Sequence, residues 1–355
     1  MDLQQLLDLT VKNNASDLHL IPGIPPALRI DGALSYMGGL TTLSPESIES
    51  MVFSLLTPEQ KAKLTANKEL DFSAAYGGGI YGDIGRFRVN AYYQREKLSA
   101  AFRFLPKDIK TIEDLHMPKI CHSFASMRQG LVLVTGPTGQ GKSTTLASIV
   151  NEINMTRSDH IITIEDPIEY MYPTGKSILS QRELGTDTHS WDLALKSALR
   201  EDPDVVLVGE MRDPDTIAAA ITIAETGHLV FSTLHTNSAA QSIDRILDSF
   251  PAYQQGQVRA QLAFTLKGII SQRLLPQLTG GRIPAVEILI GTPAVASNIR
   301  DGKTHLIDSV IETSQDVGMA TLESSLSQLV LAGSISLEVA KSYSLHPDEL
   351  LRMVR

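Results

Sequence analysis

The sequence predicts an α/β fold in which a parallel sheet is covered by helices on both faces. From residue 130 onward, near-continuous apolar segments such as GLVLVTG and VVLVGEM alternate with segments of helical pattern such as PDTIAAAITIAET. Strands that are apolar throughout are typical of sheets buried on both sides. Their alternation with helices indicates strand–helix–strand units, which build parallel sheets.

A region of mixed α and β pattern precedes this sheet. SPESIESMVFSLLTPEQKAKL predicts two helices that begin at Ser44 and Thr57, each followed by proline. ALRIDGALSYM and RFRVNAYYQREKLSAAFRFLP each predict a hairpin, the first from its Asp-Gly pair and the second from its alternation. We therefore predict an N-terminal domain over 1–105, a linker over 106–118, a core domain over 119–272 and a mainly helical region over 273–355.

The composition excludes several classes of protein. Cys121 is the only cysteine, so neither an intrachain disulfide framework nor a four-cysteine zinc site can form. The net charge is −9 and no basic block occurs, which disfavours a nucleic-acid partner. No apolar run approaches the ~18–20 residues that span a bilayer. The N-terminal segment MDLQQLLDLTVKN has no basic region before an apolar core, which favours a cytoplasmic location.

The segment GPTGQGKST fits the phosphate-binding pattern G-x-x-x-x-G-K-[ST], with a predicted strand before it and a predicted helix after it. Glycines let successive backbone N–H groups turn toward phosphate oxygens, and the helix N-terminus adds its positive dipole. Lys142 would reach the β- and γ-phosphates of ATP, and Ser143 would supply a hydroxyl to Mg²⁺. The predicted nucleotide-binding residues are Gly136, Pro137, Thr138, Gly139, Gln140, Gly141, Lys142, Ser143 and Thr144.

Two predicted strands end in acids, at the edge where a nucleotide would bind. Glu210 ends VVLVGE and is our candidate general base, with Gly209 at the position where many P-loop proteins have an aspartate. The alternative is a carboxylate that only pairs with Arg212. IITIEDPIE places Glu165 and Asp166 where they could hold Mg²⁺ through water or help to activate the nucleophile. The alternative there is a solvated turn at Asp166.

The motifs together resemble a known family. GLVLVTGPTGQGKSTTLASIVNEIN, IITIEDPIEY, QRELGTDTHSWDLALKSALREDPDVVLVGEMRD and AETGHLVFSTLHT resemble the Walker A, Asp box, Walker B and His box of the secretion ATPase superfamily. ASDLHLIPGIPPALRIDG and IDRILDSFPAYQQGQVRAQLAFTLKGIISQRLLP resemble its pilus retraction branch, the PilT-type motors. The resemblance runs from about residue 2 to about residue 332, with the motifs in the family's order.

The resemblance implies a PAS-like N-terminal domain, a RecA-like ATPase domain and a homo-hexameric ring. The ring would dock on an inner-membrane platform protein of the pilus base, at the cytoplasmic face, and a paralogous retraction ATPase could share in the work. It also implies that Arg88 and Arg103 stabilise transition-state charge; the alternative is ordinary arginines on a sheet surface. Lys142, Glu165, Glu210, His228 and His235 would complete the catalytic set.

Retraction is favoured over extension because enzymes of extension and type II secretion usually carry an extra N-terminal domain and a tetracysteine zinc module. With Cys121 alone this chain cannot build that module. Two departures stand out: Gln140 replaces a serine common in the family's loop, and AVASNIRDGK matches the family's C-terminal retraction motif only in part. An extension ATPase, an accessory ring subunit with weak hydrolysis and a nucleic-acid motor remain the alternatives.

The two histidines of the His box, His228 and His235, are 7 positions apart (235 − 228). In a regular strand an odd separation points side chains to opposite faces, and the run spans ~23 Å at 3.3 Å per residue. One metal ion could not use both. We therefore predict that His235, at the carboxyl end of its strand, senses the γ-phosphate. His228, at the other end, would act at a domain or subunit contact.

Overall fold

A computed structural model describes residues 2–30, 32–77, 85–106 and 108–354. Within the part of the chain described, no helix is both long and apolar enough to cross a bilayer. The chain divides into two compact units, and the break between Asp108 and Ile109 falls inside the predicted linker. The first unit is Met1–Asp108 with Pro167–Met171, and the second is Ile109–Asp166 with Tyr172–Arg355.

The first unit contains an antiparallel sheet with strand order β3-β2-β1-β6-β5-β4. The side chains of Ser44 and Thr57 cap α2 and α3, which confirms the two predicted helix starts. Both predicted hairpins are present as β2–β3 and β5–β6, although Asp31 lies outside the described residues. The elements are α1 (Leu3–Lys12), β1 (Asp17–Leu20), β2 (Ala27–Ile30), β3 (Ala33–Tyr36), α2 (Pro45–Phe53), α3 (Pro58–Asn67), β4 (Glu69–Tyr76), β5 (Gly85–Gln94) and β6 (Lys97–Pro106).

The second unit is built on a sheet with strand order β13-β12-β7-β11-β10-β8-β9. Neighbouring strands within this sheet are parallel, except that β12 and β13 are antiparallel to each other. The elements are α4 (Ile120–Ser126), β7 (Gly130–Thr135), α5 (Lys142–Thr156), β8 (His160–Glu165), β9 (Ile178–Glu183), α6 (Trp191–Ala198), β10 (Val205–Val208), α7 (Pro214–Glu225), β11 (Leu229–Leu234), α8 (Ala239–Asp248), α9 (Ala252–Thr265), β12 (Leu266–Pro276), β13 (Arg282–Ile290), α10 (Pro293–Arg300), α11 (Ile307–Thr313), α12 (Leu322–Leu331), α13 (Leu337–Tyr343) and α14 (Pro347–Met353).

The central strands agree with the α/β prediction, which is confirmed. Every residue of β7, β10 and β11 is buried, because helices cover both faces of the sheet. One face packs against α6–α9, and the other packs against α4 and α5. This parallel arrangement brings the carboxyl ends of β7, β8, β10 and β11 to the same edge.

The predicted boundary at residue 272 requires correction. It lies inside β12, which pairs with β7 on one side and β13 on the other. The core sheet therefore extends to Ile290, and the mainly helical C-terminal region begins only after this residue. The sequence pattern missed β12 because Ser271, Gln272 and Arg273 interrupt its apolar run, and it missed β13 and β9 as well.

We expect Gly291→Ala to lower the free energy of unfolding by about 1–3 kcal/mol, because added atoms cannot fit there without a backbone shift. A Cβ at Gly291 would lie 2.1 Å from the carbonyl oxygen of Leu266. Gly256→Ala is the matched control, since Gly256 is exposed within α9 and its Cβ would meet nothing within 4 Å. The control should raise the free energy of unfolding by about 0.5–1 kcal/mol. Urea unfolding measures both, and a Gly291→Ala protein as stable as wild type would refute the close packing.

Candidate active site

The phosphate loop joins the end of β7 to the start of α5. Gly136, Gly139 and Gly141 have backbone φ angles of 143°, 79° and 82°. Residues other than glycine rarely adopt such positive φ angles. A Cβ at Gly136 would also lie 2.5 Å from the carbonyl oxygen of Gln272. The turn thus requires all three glycines, and the close approach of β12 is a second reason at Gly136 and Gly141. The resulting cradle at a helix N-terminus suits a phosphate.

Lys142 is the first residue of α5 and only 8% exposed. Its Nζ lies within the loop and donates to the carbonyl oxygens of Gly136 at 2.8 Å and Pro137 at 3.0 Å. Ser143 and Thr144 follow in the first turn of the helix. The nine predicted residues therefore form one contiguous loop and helix start, with the ammonium group inside it.

Glu210 lies just beyond the carboxyl end of β10, and its carboxylate contacts an arginine and a histidine side chain. Its Oε1 is 3.2 Å from His235 Nε2, and its Oε2 is 2.8 Å from Arg212 Nη2. On its other side, His235 Nδ1 lies 3.4 Å from the Thr138 hydroxyl. A continuous set of contacts thus links the phosphate loop to the predicted general base. The open cavity here is about 160 Å³ and is lined by Glu210, Met211, Arg212, Leu234, His235, Thr236 and Arg245.

The charge state of Glu210 follows from this environment. Burial by itself would raise its pKa, but hydrogen bonds and charge from Arg212 and His235 outweigh burial and leave the pKa below its ordinary value. The Glu210 carboxylate is therefore ionised at neutral pH, as a proton acceptor must be. The Arg212 pair that we set as the alternative interpretation is present, so the contact alone does not assign a role to Glu210.

Gly209 has a packing reason to be glycine. A Cβ there would lie 3.3 Å from the Ile164 carbonyl oxygen, 3.4 Å from Glu165 Cα and 3.5 Å from the Trp191 ring. The contact with the Ile164 carbonyl oxygen is tight, and the other two are ordinary van der Waals distances. Gly209 therefore lies where β8 and the Trp191 ring pack closely against the end of β10.

Glu165 and Asp166 lie where β8 ends, at the same edge of the sheet as the phosphate loop. Glu165 is partly buried and Asp166 is exposed. Within the described ranges no group of three or more His, Cys, Asp and Glu side chains is arranged to hold a metal ion by itself. Mg²⁺ usually takes one or two protein ligands together with phosphate oxygens and water, and a hydroxyl and carboxylates are groups of the kind it binds.

His228 lies at the opposite end of β11 from His235, and the predicted separation of the two is observed. Its Nδ1 is 3.0 Å from the Ile223 carbonyl oxygen and 3.0 Å from the Thr226 hydroxyl. Both partners lie at the carboxyl end of α7, where the ring adds a contact to the Ile223 carbonyl oxygen, which also accepts from the Thr226 hydroxyl at 2.9 Å. The sequence reasoning missed this helix-capping contact.

The two predicted catalytic arginines lie in the first unit, side by side on β5 and β6. Arg88 is the cross-strand partner of Arg103, which in turn lies opposite Asp17 on β1. Arg103 Nε donates to Asp17 Oδ1 at 2.9 Å, and its side chain is 60% exposed. Arg29 Nε also lies 3.7 Å from Asp17. Action of Arg88 and Arg103 on a phosphate stays a prediction.

A phosphate loop lies at the carboxyl edge of a parallel sheet, and a histidine at the end of the neighbouring strand links it to an acid at the end of the strand beyond. This is the arrangement of a P-loop ATPase. A family model described as "Type II/IV secretion system protein" matches residues 100–316. The chain belongs to this family of secretion ATPases, in its PilT-type branch, and the resemblance given by the sequence is confirmed.

Individual relatives extend over nearly the whole chain. A type IV pilus retraction ATPase, PilT, of Pseudomonas aeruginosa is 44% identical over 348 residues, covering 98% of this chain and 99% of that protein. A twitching motility protein of Neisseria gonorrhoeae is 47% identical, covering 89% and 83%. The crystal structure of the pilus retraction motor PilT with bound ADP superposes with a TM-score of 0.90 at 46% identity, covering 99% of both chains.

Proposed function

We propose that this protein is a motor ATPase that hydrolyses ATP to ADP and phosphate and uses the energy to retract type IV pili. The contacts from the phosphate loop through Thr138 and His235 to Glu210 are the observation that carries the proposal. They join the group that binds phosphate to the group that would orient the attacking water. The pilus as the object of the motor is inferred from a pilus retraction ATPase and a twitching motility protein that match 98% and 89% of this chain.

In this mechanism the loop amides and the Lys142 ammonium group bind the β- and γ-phosphates. The Glu210 carboxylate orients the attacking water and accepts its proton, while His235 donates a hydrogen bond toward the γ-phosphate. Ser143 would hold Mg²⁺ directly, with Glu165 and Asp166 acting through water. The ion held by these residues would supply positive charge that favours loss of the γ-phosphate.

The remaining parts of the proposal concern assembly. Six copies would form a ring in which Arg88 and Arg103 stabilise charge on the transferred phosphate. The ring would act on an inner-membrane platform protein from the cytoplasmic face, alone or with a paralogous ATPase. The side chain of Arg103 suits such a role because it is 60% exposed, while Asp17 holds it in place through its Nε.

The decisive experiment is deletion of the gene in its bacterium, followed by complementation with wild type or Lys142→Ala. We expect the deletion and the Lys142→Ala strain to lose twitching and to carry surplus surface pili, because pilins still assemble but are not removed. Lys63→Ala, at an exposed position in α3, is the matched control and should restore twitching. Electron microscopy counts the pili. Cells without pili would instead identify an assembly ATPase and refute retraction.

A further inference from the structure

Strand β12 lies beside β7, the strand from which the phosphate loop emerges. Ser271 on β12 is in register with Thr135, the last residue of β7. The next residues of β12, Gln272 to Leu274, therefore lie level with the loop itself. Successive side chains of a strand point to opposite faces, so Gln272 and Arg273 can reach different partners.

Gln272 contacts the phosphate loop from the side of β12. Its Nε2 donates to the Gln140 carbonyl oxygen at 2.7 Å, and its Oε1 accepts from the Thr145 hydroxyl at 2.8 Å. The Gln140 side chain returns the contact, since its Oε1 accepts from the Leu274 N–H at 2.6 Å. Gln272 is only 3% exposed, and both ends of its amide are bonded. Two of these hydrogen bonds hold the loop to β12, and the third holds the first turn of α5 to it.

Arg273 contacts the segment that follows His235. Its Nη2 donates to the Asn237 backbone oxygen and to Asn237 Oδ1, both at 3.0 Å. The Ser271 hydroxyl donates to the same backbone oxygen at 3.1 Å. Arg273 is 6% exposed, and a guanidinium buried to this degree is costly unless it is well bonded. The bonds to Asn237 therefore hold the backbone two residues beyond His235.

On the neighbouring strand, Glu287 holds the start of the helix that follows. Its Oε1 accepts from the Ala239 N–H at 2.6 Å, at the first residue of α8. The β12–β13 hairpin thus binds the short segment between His235 and α8 at Asn237 and binds the start of α8 at Ala239. The contact of Thr138 with His235 joins the same two segments that β12 holds, at Gln140 and at Asn237.

We propose that Gln272 and Arg273 are positioning residues that set the spacing between the phosphate loop and His235. Neither lies among the predicted nucleotide-binding groups. Gln272 acts through the loop, and Arg273 acts through Asn237. The proposal rests on the proposed ATPase function and adds to it the element that keeps the γ-phosphate sensor in register with the bound phosphates. A misplacement of about 1 Å can cost a reaction about 10²-fold.

The test is a double-mutant cycle between Arg273→Leu and His235→Ala. Turnover at saturating ATP is divided by the number of sites that bind a fluorescent ADP, so that unfolded protein does not count. We expect Arg273→Leu to lower turnover per site at least about tenfold in wild type but less than about threefold in His235→Ala, because the two changes act on one unit. Arg282→Leu, at an exposed position on the same hairpin, is the matched control and should leave turnover unchanged.

Two further variants keep the test informative if Arg273→Leu fails to fold. Asn237 is exposed, so Asn237→Ala removes the acceptor Oδ1 without opening the core, and it should lower turnover in the same non-additive way. Gln272→Ala should weaken ADP binding more than it lowers turnover at saturation. The proposal would be overturned if the loss of turnover in the double variant were the product of the losses in the two single variants. It would also be overturned if Gln272→Ala and Arg273→Leu changed ADP affinity and turnover equally. A wild-type protein that binds ADP without hydrolysing ATP would instead refute the proposed function, and the Gln272→Ala affinity would still be readable.

Discussion

We expect Glu210→Gln to lower ATP turnover by about 10²–10⁴-fold, the range that general acid–base groups contribute. The amide keeps the size and hydrogen-bonding reach of the side chain but cannot accept a proton from water. ADP affinity should stay within about twofold, because Glu210 contributes no group to the phosphate loop and uniform binding is untouched. Steady-state phosphate release and fluorescent ADP titration measure the two quantities.

Glu201→Gln is the matched control for this change. Glu201 pairs with Arg182 at 3.0 Å and is 30% exposed, close to the 22% of Glu210, but it lies before β10 instead of after it. If pairing with an arginine were all that Glu210 does, both variants would lose the same small amount of stability and the same small fraction of turnover. Near-wild-type turnover in Glu210→Gln would show that another group accepts the proton.

The second large effect is expected at His235. His235→Ala should lower turnover by about 10²–10³-fold while the site still binds ADP, since removal of one donor to a developing charge has this cost. His228→Ala should act differently, because its ring holds the end of α7 and contacts no part of the phosphate loop among the described contacts. It should lower the free energy of unfolding by about 1 kcal/mol.

Three measurements separate the two histidine variants: turnover per ADP-binding site, ADP affinity and oligomer mass by light scattering. His235→Ala should change the first and leave the mass unaltered. His228→Ala should shift thermal unfolding and the oligomer distribution, and should lose turnover together with assembly. Equal changes in all three quantities for both variants would contradict the prediction that the two histidines, at opposite ends of β11, have different roles.

Much of the site could be predicted because it is contiguous in the chain. The glycines, Lys142 and Ser143 of the phosphate loop form a local motif whose backbone requirements are visible in the sequence. The location of Glu210 and His235 at one edge followed from a general property of parallel sheets, in which all carboxyl ends meet. The helix starts at Ser44 and Thr57 were equally local, since a cap bonds residues three positions away.

The hairpin of β12 and β13 could not be predicted in the same way. Its sequence pattern gives a weak strand signal, because β12 is buried on both faces and polar and apolar residues do not alternate along it. The polar residues Gln272 and Arg273 also interrupt the apolar segment, as the end of a strand would. Their reason for being polar is visible only in partners far along the chain, since Gln272 and Gln140 are 132 positions apart. Pairing across such distances depends on the assembled sheet and not on local pattern.

The amino-acid sequence by itself determined that this chain is a P-loop ATPase of the secretion family, because short motifs with strict backbone demands carry that information. Tertiary structure alone decided how those motifs are held together. It placed His235 between Thr138 and Glu210, gave His228 a helix end to cap, and made Gln272 and Arg273 the supports of two separate loops. The physical reason is that hydrogen bonds between distant segments form only once the sheet has brought their strands together.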